Sequence, residues 1–275
     1  MSAWLTATNK HRTTRILNVE TASPTVKTFT FKDGLCAKAK PGQFLMLWIP
    51  GVDEIPLSVC DADREKATVS VAVKRVGEAT EALHALKAGD WIGVRGPFGN
   101  SFTPKQGNVL LVGGGVGIAP LTFLAKELAA RKTSKTTVVV GAKTRAELIF
   151  LDKLKKICGG ENVLAATEDG SCGVKGLAST LTELVMTKEK FDAVYTCGPE
   201  PMTRAVLDCA ERFGVYAEAS LERIMRCAIG ICGSCVIGEY RVCRDGPIFN
   251  INQLKNVKGE FGVWKRNLNG KRIPV

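Results

Sequence analysis

Four cysteines crowd into the seventeen positions from Cys227 to Cys243, and this cluster constrains the chain more than any other feature. Six other cysteines (Cys36, Cys60, Cys158, Cys172, Cys197 and Cys209) are dispersed, as small buried apolar side chains are. Four within so short a stretch ask for a metal. Their spacing, Cys227-x4-Cys232-x2-Cys235 followed by Cys243, is the plant-type two-iron arrangement with a short final gap. Thiolates are soft, anionic ligands, and four of them hold two ferric ions and two sulfides. Gly230, Gly233 and Ser234 lie between, and small residues let backbone N–H groups approach the sulfides. Four thiolates also hold structural zinc, but such sites usually pair two C-x2-C units and only one is present. The reading is a [2Fe–2S] cluster on Cys227, Cys232, Cys235 and Cys243.

A chain of 275 residues buries a substantial core and divides into two or three domains. The first hundred residues read as strands. Thr25 to Phe31 and Thr68 to Lys74 alternate apolar with polar, and Phe44 to Ile49 is an apolar run between Pro41-Gly42 and Pro50-Gly51. Short strands between turn signals predict an antiparallel β-barrel, interrupted by one helix from about Ala79 to Leu86. From Asn108 the rhythm changes. Apolar strands at Val109–Val112, Thr137–Val140, Asn162–Ala166 and Ala193–Thr196 alternate with helices at Pro120–Arg131 and Glu200–Arg212. That alternation predicts a doubly wound parallel α/β sheet. The expected division is a barrel over 1–103, an α/β domain over 104–219, and a small cluster domain with a basic tail over 220–275.

The charge and the ends exclude some functions. The formal net charge is +11, yet Lys and Arg are scattered, which argues against nucleic acid. The late group Lys255, Lys258, Lys265, Arg266, Lys271 and Arg272 reads as a solvated tail before it reads as a docking patch. No apolar run reaches the ~20 residues of a membrane span. Met1 to Arg12 has no apolar centre to make a secretory signal, so a cytoplasmic location is expected.

Two turns carry nucleotide chemistry. Gly113-Gly114-Gly115-Val116-Gly117-Ile118-Ala119-Pro120 follows a strand and opens a helix. Glycines let the backbone approach a pyrophosphate, and Pro120 suits a first helical turn. The closing glycine of the dinucleotide fingerprint is missing, and a plain tight turn is the alternative. Thr196-Cys197-Gly198-Pro199-Glu200-Pro201-Met202 ends the fourth strand, where ligands of open α/β sheets bind, so Cys197 is placed to face a cofactor or else is a buried turn cysteine. In the barrel, Pro56-Leu57-Ser58 and Gly77-Glu78-Ala79-Thr80 interrupt apolar strands, and Thr80 is a candidate cap and phosphate donor.

Taken in order, these segments resemble the electron-transfer subunit of the nicotinamide-linked class of dihydroorotate dehydrogenase, within the ferredoxin–NADP reductase superfamily. Ile55-Pro56-Leu57-Ser58, Gly77 to Thr80, Gly96 to Asn100, Gly113 to Pro120, Cys197 to Met202, Ser220-Leu221-Glu222 and the cysteine cluster running into Arg244-Asp245-Gly246-Pro247 carry the likeness. The resemblance implies FAD on the barrel, with Pro56, Leu57 and Ser58 along the isoalloxazine and Gly77 and Thr80 near its pyrophosphate. It implies NAD or NADP on the α/β domain, held at Gly113, Gly114, Gly115, Gly117, Pro120, Gly198 and Pro199, with Cys197 at the hydride-transfer position. It further implies an FMN-containing catalytic partner, two copies of each subunit assembling together. The chain departs from the pattern at Ile55, where Arg is usual, and at Ala79, where Gly is usual. Lys143 and Arg145 follow the second strand where an acidic residue would take a ribose hydroxyl, which leaves NAD and NADP both open. Other partners of the same architecture are ferredoxin:NADP transhydrogenase, sulfhydrogenase and sulfite reductase, and a non-enzymatic cluster carrier is the reading from another class.

Overall fold

The computed structural model describes residues 3–132 and 134–275, so the first two residues of the N-terminal stretch and Thr133 lie outside the description. A short helix α1 (Ala3–Asn9) precedes six strands: β1 (Arg12–Ser23), β2 (Val26–Lys32), β3 (Phe44–Ile49), β4 (Asp53–Asp63), β5 (Thr68–Lys74) and, after helix α2 (Glu78–Ala85), β6 (Trp91–Phe98). They close a barrel in the order β1-β2-β5-β4-β3-β6, every pair antiparallel. The alternation read in the sequence is the cause. Phe29 and Phe31 on β2 and Val69, Val71 and Val73 on β5 point inward and are almost fully buried.

The second unit runs β7 (Gly107–Gly114), α3 (Ile118–Arg131), β8 (Ser134–Ala142), α4 (Leu151–Cys158), β9 (Val163–Thr167), β10 (Val174–Lys175), α5 (Ala178–Lys188), β11 (Ala193–Cys197), α6 (Glu200–Arg212) and β12 (Tyr216–Ser220). These strands pair in parallel in the order β10-β9-β8-β7-β11-β12. Both faces are covered, which is why the strands read as continuous apolar runs. Val109, Leu111, Val138 and Tyr195 pack with Leu121, Leu124 and Leu128 of α3. Leu110, Val112, Val139 and Val194 pack with Leu181 of α5 and Val206 and Leu207 of α6.

The C-terminal segment holds β13 (Val236–Ile237), β14 (Tyr240–Arg241), α7 (Val242–Asp245), β15 (Ile248–Asn250), α8 (Ile251–Lys255), β16 (Trp264–Arg266) and β17 (Arg272–Pro274). One expectation changes here. The sheet is not wholly parallel, because β15 joins its edge antiparallel to β12, with Ala219 opposite Phe249. The 27 residues between them, which carry the cysteines, bring the chain back at the same end of the sheet that β12 leaves, so β15 runs antiparallel to it. The basic tail is exposed as expected, with Lys265, Lys271 and Arg272 at the surface, and its last residues form the antiparallel hairpin β16–β17. The cluster segment shares its core with both neighbours: Met225, Cys235, Val242 and Phe249 pack in one group with Phe44 and Phe98 of the barrel and Val206 of α6. Among the described residues no helix is long and apolar enough to cross a membrane.

Candidate functional site

The four cysteines lie on a loop that leaves β12 and ends in α7. It is tightly wound: Ala228, Gly230 and Gly233 have left-handed backbones, with φ of 63°, 80° and 74°. That winding aims N–H groups at sulfur. Ile231 N and Cys232 N donate to Cys227 Sγ at 3.3 and 3.5 Å, Gly230 N to Cys243 Sγ at 3.2 Å, and Cys243 N to Cys235 Sγ at 3.4 Å. A Cβ on Gly230 would meet the Arg244 side chain at 2.8 Å, so the approach needs glycine there. Burial raises the Cys227 thiol, but its backbone donors outweigh that and bring it down to about 7. Cys243 donates to Cys235, which falls to about 6 despite burial, while Cys243 itself is pushed far up.

Backbone N–H groups thus reach three of the four sulfurs, and the Cys232 thiol bonds the Ser234 hydroxyl at 3.3 Å. Among the described residues no three His, Cys, Asp or Glu side chains form a group suited to one metal ion. Four thiols on one loop, three of them already facing N–H donors, suit an iron–sulfur cluster, whose bridging and ligand sulfurs need such donors. Cys235 and Cys243 are buried, Cys227 is half-buried and Cys232 is exposed beside Ile231, itself 71% exposed, so one edge of the site faces outward.

A cavity of about 380 Å³ lies between the barrel and the parallel sheet. Ile55, Pro56, Leu57 and Ser58 of β4 and Thr80 of α2 form one wall, and Gly117, Pro120, Cys197 and Glu222 form the other. The expected flavin stretch and Cys197 thus meet in one space. The register explains it: Gly113, Cys197 and Ser220 are aligned across β7, β11 and β12, all at their carboxyl ends. Burial raises the Cys197 thiol far above its usual range, so this group is a neutral, uncharged wall and not a nucleophile. Glu222 is reached by solvent but crowded by protein, and that crowding raises its carboxyl.

The glycines divide by role. Gly113 packs under Ile118, Gly114 against Pro199 and Met202, and Gly117 against the Cys197 carbonyl, where a Cβ would come to 2.4 Å. Gly198, at φ 151°, packs back on Gly114. These four let the two turns interlock. Gly115 alone has φ of 55° and open space where its Cβ would be. It faces a second cavity, of about 360 Å³, lined by Gly114, Gly141, Lys143, Glu168, Pro199 and Met202. Gly77 caps α2 and lines neither cavity. Thr80 closes the start of α2 by accepting from Val76 N and Gly77 N, and it donates its own proton to the Gly77 carbonyl at 2.8 Å. That hydroxyl therefore has no proton left for a phosphate in this arrangement.

Three groupings escaped the sequence because they join distant segments. Arg95 of β6, 7% exposed, makes a two-point ion pair with Glu54 at 2.8 and 2.6 Å, bonds Asn9 at 2.5 Å, and reaches the Cys227 carbonyl at 3.4 Å. It ties β4, α1 and the cluster loop together. Arg223 pairs with Glu200 at the head of α6, both buried. Lys74 lines both cavities and stands 4.0 Å from Glu147. None of these has a local spacing signal.

Residues 222–255 match the iron–sulfur cluster binding domain of dihydroorotate dehydrogenase B, and residues 111–208 match the oxidoreductase NAD-binding domain. The chain is 43% identical over 261 residues to the probable dihydroorotate dehydrogenase B (NAD(+)) electron-transfer subunit of Methanocaldococcus jannaschii, covering 94% of this chain and 96% of the relative. It is 40% identical over 250 residues to the probable subunit of the same kind from Pyrococcus furiosus, covering 91% and 94%. Among solved structures, an NADH-dependent reduced ferredoxin–NADP oxidoreductase superposes with a TM-score of 0.79 at 33% identity, covering 90% of this chain and 93% of that one.

Proposed function

We propose how this chain moves electrons from one premise: it belongs to the family of dihydroorotate dehydrogenase B electron-transfer subunits. It is an oxidoreductase subunit of pyrimidine biosynthesis. With its cofactors bound, electrons taken from dihydroorotate by FMN of a catalytic partner pass through the [2Fe–2S] cluster and FAD to a nicotinamide dinucleotide.

The observation that carries this reading is the cavity of about 380 Å³, where Pro56, Leu57 and Ser58 stand across from Cys197 and Glu222. Met225, two residues before Cys227, lines the same cavity, so the cluster loop begins where the flavin stretch and nicotinamide turn meet. Pro56 and Leu57 offer an apolar surface for an aromatic ring, and Ser58 a hydroxyl. Cys197, held neutral by burial, would give a bound nicotinamide ring an uncharged, apolar neighbour. Gly115 leaves the backbone open for a pyrophosphate, at the N-terminus of α3. Arg95 holds the flavin strand at a set distance from the cluster loop through Glu54 and the Cys227 carbonyl.

The finer parts of the proposal have their own supports. Lys74 and Lys143 line the second cavity together with Glu147 and Glu168, so its charge admits NAD or NADP, and the NAD-linked names of the relatives favour NAD. The strand order β9-β8-β7-β11-β12, with helices on both faces, supports reading the sheet as doubly wound. We keep the division at 1–103, 104–219 and 220–275, a complex of two chains of each kind with the FMN subunit, and a cytoplasmic site that keeps the thiolate ligands reduced. The structural likeness to the ferredoxin–NADP oxidoreductase supports a second reading, the same electron path with a ferredoxin-linked partner.

Cys232→Ser tests the path. A serine hydroxyl is a harder, poorly ionised ligand, so iron and acid-labile sulfide should fall while flavin content persists. The variant should still pass electrons from NADH to a dye, yet fail to couple dihydroorotate oxidation to NAD reduction with its partner. Full coupled activity without a cluster would reject the path, and coupling to reduced ferredoxin in place of dihydroorotate would favour the second reading.

A further inference from the structure

The family match ends at residue 255, and the hairpin β16–β17 lies beyond it. It is a built structure. Trp264 is flanked by Arg266 and Arg272, their guanidinium carbons 5.6 and 4.2 Å from its ring centre. Three bonds fix the segment to the body: Gly262 N to Glu200 Oε2 at 2.9 Å, Arg204 to the Phe261 carbonyl at 3.3 Å, and Arg226 to the Leu268 carbonyl at 3.4 Å. Between this hairpin and the start of β4 lies a cleft of about 1160 Å³. It opens into the flavin cavity, because Ile55, Pro56, Glu222, Arg223 and Met225 line both.

On the flavin reading the diphosphate, with two negative charges, would pass Ile55, where the usual arginine is missing, and the β4 wall there has the wrong character for it. Asp53 and Glu54 are acidic, and Ile55 and Pro56 are apolar. Arg223 is committed to Glu200, and Lys74 stands beside Glu147. The Thr80 proton goes to Gly77. The cations that remain on the cleft belong to the opposite wall: Lys265, Arg266 and Arg226. Arg226 bonds Leu268, and Arg266 bonds the Gly270 carbonyl and stacks on Trp264. Lys265 is exposed on its strand and close enough to Glu222 to ease the charging of that carboxyl.

We propose that the C-terminal hairpin is the cationic wall for the flavin diphosphate, with Lys265 as the group that meets it in place of the arginine absent at Ile55. This rests on the flavin reading of the barrel cavity. The test uses the full chain, stripped of flavin, and measures binding of FAD and of riboflavin, which has no phosphate, by flavin fluorescence. Lys265→Ala should weaken FAD about tenfold, the scale of one charge-assisted hydrogen bond, and leave riboflavin unchanged. Lys265→Arg should restore FAD binding, and added salt should narrow the gap between parent and variant. Unchanged FAD affinity in Lys265→Ala would overturn the assignment. Equal weakening of FAD and riboflavin would overturn it too, as would weakened NADH binding with FAD intact. A parent chain that binds neither flavin would instead remove the flavin reading itself and the assignment with it.

Discussion

Gly117→Ala is the sharpest test of how the two nucleotide turns are held. Gly117 has an ordinary right-handed backbone, with φ of −62° and ψ of −15°, so alanine brings no backbone strain. Its cost is purely steric. The new Cβ would lie 2.4 Å from the Cys197 carbonyl oxygen, 2.6 Å from its carbon and 2.6 Å from Gly198 N. These are backbone atoms of the neighbouring strand end and cannot swing aside as a side chain would. The two turns must part by roughly 1 Å, and overpacking of this kind costs about 1–3 kcal/mol. Alanine returns about 0.4–1 kcal/mol by restricting the unfolded chain, so the net loss is roughly 1–2 kcal/mol. For a chain of this size that lowers Tm by ~2–8 °C. The same separation shifts Cys197 relative to Pro56–Ser58, so nicotinamide-dependent dye reduction should fall while iron content holds. Gly115→Ala is the contrast. It meets no atom, costs about 1 kcal/mol for its left-handed φ, and acts mainly by raising KM for NADH. Thermal melting and steady-state dye reduction on both variants decide the matter. A Gly117→Ala protein with parental Tm and parental KM would refute the interlocked turns.

Two further outcomes follow from buried charges. Arg95→Met strands the Glu54 carboxylate and should cost about 3 kcal/mol in urea unfolding, whereas Arg95→Met with Glu54→Gln should recover most of it; equal losses in both would show the pair is not the cause. Burial raises the Asp33 carboxyl, but Arg12 and the Cys36 N–H outweigh it and hold it low, so its stabilisation is complete above the unfolded value of about 4 and drains away as pH falls through the lower folded value. Asp33→Asn should therefore be less stable at neutral pH and flatter in its acid limb than the parent, and parallel stability–pH curves would count against the pairing.

The elements legible in the sequence are those whose signal is local. A strand such as Thr68–Lys74 shows itself because successive side chains face opposite ways, and Val69, Val71 and Val73 do fill the barrel. The helix Glu200–Arg212 opens on a proline turn and is found where its pattern predicts. The iron–sulfur segment was readable for the same reason: the four cysteines proposed as ligands share one loop, and the family match falls on that segment.

The tertiary structure decided what distant segments do to one another. Nothing near Arg95 names Glu54, Asn9 or the Cys227 carbonyl as its partners. Nothing in the Gly113–Pro120 turn tells Gly115, open to a ligand, from Gly117, wedged on Cys197. The basic tail is exposed as its charge suggests, but charge alone does not show that it folds into a hairpin with Arg272 stacked on Trp264 beside a cleft. Residue periodicity reports backbone dihedrals and the face a side chain takes, both set within a few residues. Contacts across the barrel, the sheet and the hairpin depend on how whole elements pack, and that is settled by the shape of the buried surfaces once the chain has closed on itself.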